Sequence, residues 1–362
     1  MPKPLSRIAE RITSEIARLA ENFNHLKIMH FCGTHEHTIT YHGLRSIIPQ
    51  NIELIAGPGC PVCILPASIV DEAVRLSMEG VYVLTYGDVY RLPGSEKSLH
   101  EARSEGAKVK PVYGFLDAVK ISKTSLRNED VVFLAAGFET TLPTILSQVK
   151  LGKVPNNLTI LLACRNTVAA MRYILENKVH RLNGIIAPGH VSAIIGASAW
   201  SFVATEHGVP VVVAGFEPLD VLIAVLNILS QNIEGKAYLE NEYSRVVSWN
   251  GNTEAKKLMS ELLIVSDGYW RGIGLIPKSA WRFREKYRKY DAIEEYGLDV
   301  EKPGIDLKPG CRCAEIVLGM AKPTDCPLFM KSCTPSRPLG PCMVSVEGTC
   351  RIWAIYGSGY RA

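Results

Sequence analysis

The chain has 362 residues, 47% of them hydrophobic and 21% charged, with 40 basic against 36 acidic residues and a formal net charge of +4. That length gives room for two or three cores, and the composition is that of an ordinary globular protein. So small an excess of positive charge argues against a binder of nucleic acid or anionic membrane, and no basic block with interleaved aromatics dominates the sequence.

The first stretch, "LSRIAERITSEIARLAE", places Leu5, Ile8, Ile12, Ile16 and Leu19 on one face with charges between them. That pattern predicts an amphipathic helix and not an apolar leader. The later apolar runs "IIAPGHVSAIIG" and "VLIAVLNIL" are broken by Pro, Gly and His or are too short to span a bilayer. A cytoplasmic protein is expected, with neither membrane nor nucleic acid among its partners.

From residue 26 short apolar runs alternate with helical patterns. "LKIMHFCG", "IELIAGPG" and "VYVLTYGD" read as buried strands, and "PASIVDEAVRLSME" as a helix. From about residue 130 the same order returns in "VVFLAAGFETT", "LTILLACRNT", "NGIIAPGHVS" and "PVVVAGFEPLD". Continuous apolar runs of this kind predict parallel strands covered on both faces. Two Rossmann-like α/β domains of similar plan are expected, over 26–125 and 126–245, with "GFE" closing a strand in the second at both 137–139 and 215–217. After 246 the texture changes. "WRFREKYRKYDAIEEYG" predicts a charged, aromatic helix over 281–296, and the rest is rich in Pro, Gly and Cys. A segment this poor in core needs a staple, and a metal centre supplies one. The third domain is therefore drawn at 246–362, with the helix of 1–25 packed against it.

In parallel sheets the functional groups gather at the C-terminal ends of strands. Cys32 and His35 follow the first strand, Cys60 and Cys63 the second, Glu139 the "VVFLAAG" strand and His190 the "IIAPG" strand. Cys32 is a candidate nucleophile or metal ligand, with His35 placed to handle its proton; a small buried residue is the alternative. His30 and His37 read as surface or supporting groups. The C-x-x-C of "GPGCPVC" sits at a tight turn before a helix, where two thiols share a metal or close a disulfide and helix amides favour thiolate. Glu139 is a site carboxylate or a cap of the following helix. His190 is a site imidazole or a turn residue, and Cys164 reads as structural.

Ten cysteines in a reducing compartment are not staples, and six of them fall between 311 and 350 with the spacing C311-x-C313-x12-C326-x6-C333-x8-C342-x7-C350. Six thiols exceed one tetrahedral zinc. Four suit a cubane iron–sulfur cluster, which leaves two for a disulfide. A zinc ribbon calls for two C-x2-C pairs, which this tail lacks, and the spacing does not say which four bind. The chain carries no phosphate-cradling G-x-x-x-x-G-K-[ST] loop, no G-x-G-x-x-G after the first strand and no C-x3-C-x2-C run.

Taken together and in order, "FCGTHEHTI", "GPGCPVC", "AAGFETT", "APGHVS", "PGCRCAEIV", "CPLFMKSCTP" and "GPCMVSVEGTC" resemble the HypD family of hydrogenase maturation factors. The resemblance implies two α/β domains and a small C-terminal iron–sulfur domain. It implies a scaffold that works with HypC to assemble the Fe(CN)2CO centre of [NiFe]-hydrogenases. HypE with HypF would be the cyanide source, and the hydrogenase large subunit would be reached through HypC. By motif, Cys32 is the thiol of the iron-assembly cleft with His35 beside it, and Cys60 and Cys63 are a redox or ligand pair. Cys311, Cys326, Cys333 and Cys350 would hold a [4Fe-4S] cluster next to a Cys313–Cys342 disulfide. Electrons would then pass from cluster to Cys313–Cys342, to Cys60–Cys63, to iron. Two rivals remain: a stand-alone iron–sulfur thiol–disulfide reductase, and an adaptor whose cysteines hold zinc.

Overall fold

The structure, a computed structural model, describes residues 4–177, 179, 181–301 and 304–357; Leu5 lies outside the residues whose side chains are described. Eleven strands occur among the described residues: β1 (Leu26–His30), β2 (Ile52–Ala56), β3 (Tyr82–Thr85), β4 (Val109–Pro111), β5 (Val131–Gly137), β6 (Leu158–Cys164), β7 (Gly184–Pro188), β8 (Val211–Ala214), β9 (Leu239–Asn241), β10 (Leu263–Trp270) and β11 (Gly274–Phe283). Nine of them build two wholly parallel sheets, in the orders β2-β1-β7-β8-β9 and β4-β3-β5-β6. The last two form an antiparallel hairpin.

Strands β5, β6, β7 and β8 are covered on both faces, as their unbroken apolar runs require. Along β5, Val131, Phe133 and Ala135 enter one core, while Val132, Leu134 and Ala136 enter another. The α/β class is as expected, but the domain boundaries are not. β1 and β2 do not share a sheet with β3. β1, with β2 on its other side, pairs with β7, whose Gly184 stands opposite Ile28. The first sheet is thus assembled from 26–56 and 184–241, and the second from 82–164, so the ranges 26–125 and 126–245 are corrected. Strand runs that are apolar throughout carry no local mark of which neighbour they will pair with.

Two further expectations are corrected. Helix α1 (Pro4–Ala20) packs on the helix Pro218–Ile233 of the first sheet, its Ile16, Leu19 and Ala20 sharing a core with Val221, Leu222 and Val225, and not on the C-terminal segment. The stretch 281–296 is not one helix: Trp281–Phe283 finish β11, a 3-10 turn runs Glu285–Tyr290, and a short helix covers Ala292–Tyr296. Asp291 caps that last helix through the Ile293 N–H, which ends the previous turn.

The cysteine-rich tail folds into short helices: Cys313–Val317, Pro341–Val344 and Thr349–Tyr356. Its Cys313, Cys326, Cys333, Cys342 and Cys350 are buried in the same core as Cys60, Cys63 and the inner faces of both sheets. No helix among the described residues is long and apolar enough to cross a membrane.

Candidate functional site

The C-terminal ends of β1, β3, β5 and β7, together with the loop after β2, open on one cleft of about 290 Å³. Cys32, Pro61, Asp88, Thr141, His190 and Glu347 are among the residues lining it. A narrow fissure continues inward from Cys32 and Glu347 to Cys60, Cys63 and Cys342. All four expected strand ends therefore meet, and one tail segment closes them over.

Cys32 stands at the N-cap of α2 (Gly33–Tyr41) in extended conformation, φ −152° and ψ 133°. Burial, and after it the Glu347 carboxylate, push its thiol up to about 11, against the pull of the His35 and Thr34 amides. Two glycines permit this crowding. A Cβ on Gly59 would overlap the backbone of Cys32, and one on Gly33 would lie 2.6 Å from the Glu347 carbonyl oxygen. Glu347 is itself shifted upward, by burial and by Asp88.

His35 is fully buried and its imidazole does not line the cleft. Its Nε2–H donates to the Gly215 carbonyl at 2.9 Å. Burial depresses the ring's pKa to about 3, so it is neutral. What His35 offers Cys32 is its backbone N–H, not the proton-handling ring the sequence led us to expect. His190 lines the cleft and stacks on Phe216 at 4.0 Å between centroids, with its pKa lowered by burial. Glu139 stands behind the wall. Its oxygens accept from the Thr167 N–H at 2.8 Å and the Thr167 hydroxyl at 2.7 Å, so it caps the helix Thr167–Glu176 and not the one that follows it. Burial raises its pKa to about 6.

Cys60 and Cys63 form a disulfide. They lie in a turn, and the next helix begins only at Ala67, so the helix amides expected to act on them are out of reach. Cys164 is buried, its Sγ against the Ala135 carbonyl. The six tail thiols are free. The Cys350 N–H donates to Cys342 Sγ at 3.4 Å. Cys313 and Cys350 thiols also donate to Cys342, which holds it below the usual thiol range and them above it.

The sequence reading missed four residues. Glu36, fully buried, takes two guanidinium bonds from Arg45 at 2.8 Å, one from the Thr40 hydroxyl at 2.6 Å and one from the Trp353 indole at 2.8 Å, with His30 Nε2 at 3.0 Å. Charge and hydrogen bonds together hold its carboxyl well below the usual range despite burial. His30 is thus buried, not a surface group, while His37 stacks on Tyr41 and meets Tyr356 edge-on. Asp88 and Glu347 were legible by the same rules already applied: Asp88 follows a strand end, and Glu347 lies inside a quoted motif. Arg271 had no signal in sequence.

Fold and site together define a thiol-bearing α/β scaffold, in which a cysteine at a strand end, an internal disulfide and a cysteine-rich cap share one crevice. A family model described as "HypD: Hydrogenase formation hypA family" matches residues 7–357. A protein of Methanocaldococcus jannaschii named for hydrogenase expression/formation is 44% identical over 352 residues, covering 96% of this chain and 97% of its own. The hydrogenase maturation factors HypD of Cupriavidus necator and Azotobacter vinelandii are 40% and 39% identical, over 97% and 98% of this chain and 94% and 95% of theirs. The chain belongs to the HypD family.

Proposed function

We propose that this chain serves hydrogenase maturation as the scaffold on which, with HypC, an iron fragment carrying two cyanides and one carbon monoxide is assembled. HypE with HypF would supply cyanide, and the hydrogenase large subunit would receive the product through HypC. The observation that carries this reading is that Cys32 lines both the open cleft and the fissure leading to Cys60, Cys63 and Cys342.

Cys32 is the anchor for the iron substrate, a soft low-spin centre suited to thiolate. A thiol raised to about 11 sheds its proton as the metal binds. Glu347, beside the sulfur and shifted upward, is the acceptor at hand. His190, neutral and facing the cleft, is placed to donate to a bound diatomic ligand.

Of the tail thiols, Cys311, Cys326, Cys333 and Cys350 would hold a [4Fe-4S] cluster. The fit is supported by their donor type, by the burial of Cys326, Cys333 and Cys350, and by Gly340, where a Cβ would lie 2.8 Å from Cys311 Sγ. Among the described residues no three such side chains close on one point as a single-ion site does; thiolates around a cubane stand further apart. When bound, the cluster supplies single electrons. The chain's own sulfurs provide the two-electron step. Cys342, the thiol favoured as thiolate, attacks the Cys60–Cys63 disulfide, forming one S–S bond as the other breaks. Cys313, on giving up its proton, then attacks the Cys342 sulfur of that mixed disulfide and displaces the sulfur still bonded to it, leaving Cys313–Cys342 oxidised and Cys60 and Cys63 reduced. The departing thiolates take up the protons that the attacking thiols gave up.

The test is infrared spectroscopy of the co-purified complex with HypC. The wild-type complex should show cyanide and carbonyl stretching bands, and Cys32→Ala should lose them. Bands at full intensity in Cys32→Ala would remove the anchor. Turnover of a generic disulfide without HypC would instead favour the stand-alone reductase.

A further inference from the structure

We propose that Arg271 is the counter-charge of the tail sulfur cluster, donating its uncommitted N–H groups toward it and thereby setting its reduction potential. The inference rests on the reading that these cysteines hold an iron–sulfur cluster.

Arg271 is 1% exposed and belongs to the turn between β10 and β11. Its backbone N–H donates to the Ile64 carbonyl at 2.9 Å, next to the Cys60–Cys63 disulfide. Its Nη2 donates to the Pro93 carbonyl at 2.6 Å. Its Nε and Nη1 have no hydrogen-bond partner among the described residues. Asp306 does not answer for them. It stands 4.0 Å from Nε, and its two oxygens already accept from the Ala67 N–H at 2.9 Å and the Gly272 N–H at 2.8 Å.

A buried guanidinium with open donors is costly and calls for an explanation. A purely structural arginine would have its fork filled. Gly272, the next residue, lies against Ala314, and a Cβ there would stand 3.0 Å from the Ala314 Cβ. The turn that carries Arg271 is thus packed against the start of the helix Cys313–Val317. Asp306, Cys313, Asp71 and Cys311 are the groups whose negative charge would stabilise it. Asp71 is spoken for by the Ser95 N–H and hydroxyl. The sulfurs of Cys313 and Cys311 are the remaining negative groups near it.

A thiolate-ligated cluster is a net anion and becomes more negative on one-electron reduction. A fixed cation beside it stabilises the reduced form, and donors to cluster sulfur act in the same sense. Removing the charge therefore lowers the potential.

The experiment uses the full chain purified without oxygen, as wild type, Arg271→Met and Arg271→Lys. Iron and sulfide are counted first; their absence from wild type would sink the cluster reading, whatever Arg271 does. Cluster reduction is then titrated with mediators and followed by its electron paramagnetic resonance signal. The expected result is a fall of at least tenfold in the reduction equilibrium constant for Arg271→Met, about 59 mV for a one-electron couple. Arg271→Lys, which keeps the charge and serves if the Met variant does not fold, should move less than half as far in potential. An unchanged potential in a fully loaded Arg271→Met protein overturns the proposal. So does a Lys variant whose potential falls as far as that of Arg271→Met.

Discussion

At the scale of single residues, the site is tuned mainly by burial. Glu139 shows the sign of the effect. Its pKa is raised from 4.5 to about 6, so the native state binds more protons than the unfolded chain between those values. Its contribution to stability is complete below the unfolded value and is lost as pH rises through about 6. Glu139→Gln keeps an acceptor for the Thr167 N–H and removes the buried charge. Its unfolding free energy at pH 8 should match or exceed that of wild type, by up to about 2 kcal/mol, whereas Glu139→Ala should lose stability. Denaturant titrations at pH 5 and pH 8 measure both, and a Gln variant weaker than wild type only at pH 8 would contradict this account. Cys32, Cys60, Cys63 and His190 were legible because strand-end position and residue chemistry coincide. The direction of the His35 ring was not legible, because it depends on Gly215, 180 residues away, reached only through the pairing of β7 and β8 beside β1.

At the scale of elements, helix α2 and the tail helix Thr349–Tyr356 are held as one unit by Glu36. Trp353, on the helix that carries Cys350, donates to the same carboxylate as Arg45 and Thr40, one turn beyond Cys32. Glu36→Gln leaves a guanidinium without its charge partner in a largely buried place and should cost about 3–5 kcal/mol. Trp353→Phe removes one bond to a charged acceptor and should cost about 1.5–3 kcal/mol. Hydrogen exchange should then show faster exchange across 349–356 than in β5. Equal protection across both would mean that the network does not fasten the tail. The sequence pattern identified seven of the eleven described strands, missing β4, β9, β10 and β11, and did not show this fastening, since "THEHT" looks like a run of surface polar residues until its partners, nine and more than three hundred residues away, are in place. The stretch 281–296 was misread for a related reason. Its charges and aromatics fit a helical face, but pairing with β10 captured its first residues as strand.

At the scale of the whole molecule, the tail is the lid of the cleft, and its cysteines share a core with both sheets. Loss of one of the proposed cluster ligands should loosen this lid and leave the two sheets folded. On the proposed cluster assignment, Cys326→Ala should yield a protein without the brown colour of an iron–sulfur centre and make the region after 300 sensitive to limited proteolysis, while the fragment carrying both sheets persists. Unchanged iron content would show that Cys326 is not a ligand. The α/β class and the gathering of cysteines could be read from the one-dimensional pattern. The division of strands between sheets could not, since parallel pairing is non-local and the apolar runs of the buried strands look alike.

The interleaved order of strands has a consequence for biosynthesis. The second sheet lies within one continuous stretch, 82–164, and has all its strands as soon as that stretch is made. The first must wait for β7 to arrive beside β1. At roughly 5–20 residues per second, the nascent segment bearing Cys32, Cys60 and Cys63 spends on the order of ten seconds outside the ribosome without its central neighbour. During that interval its thiols are open to stray cross-links that the finished crevice shuts out.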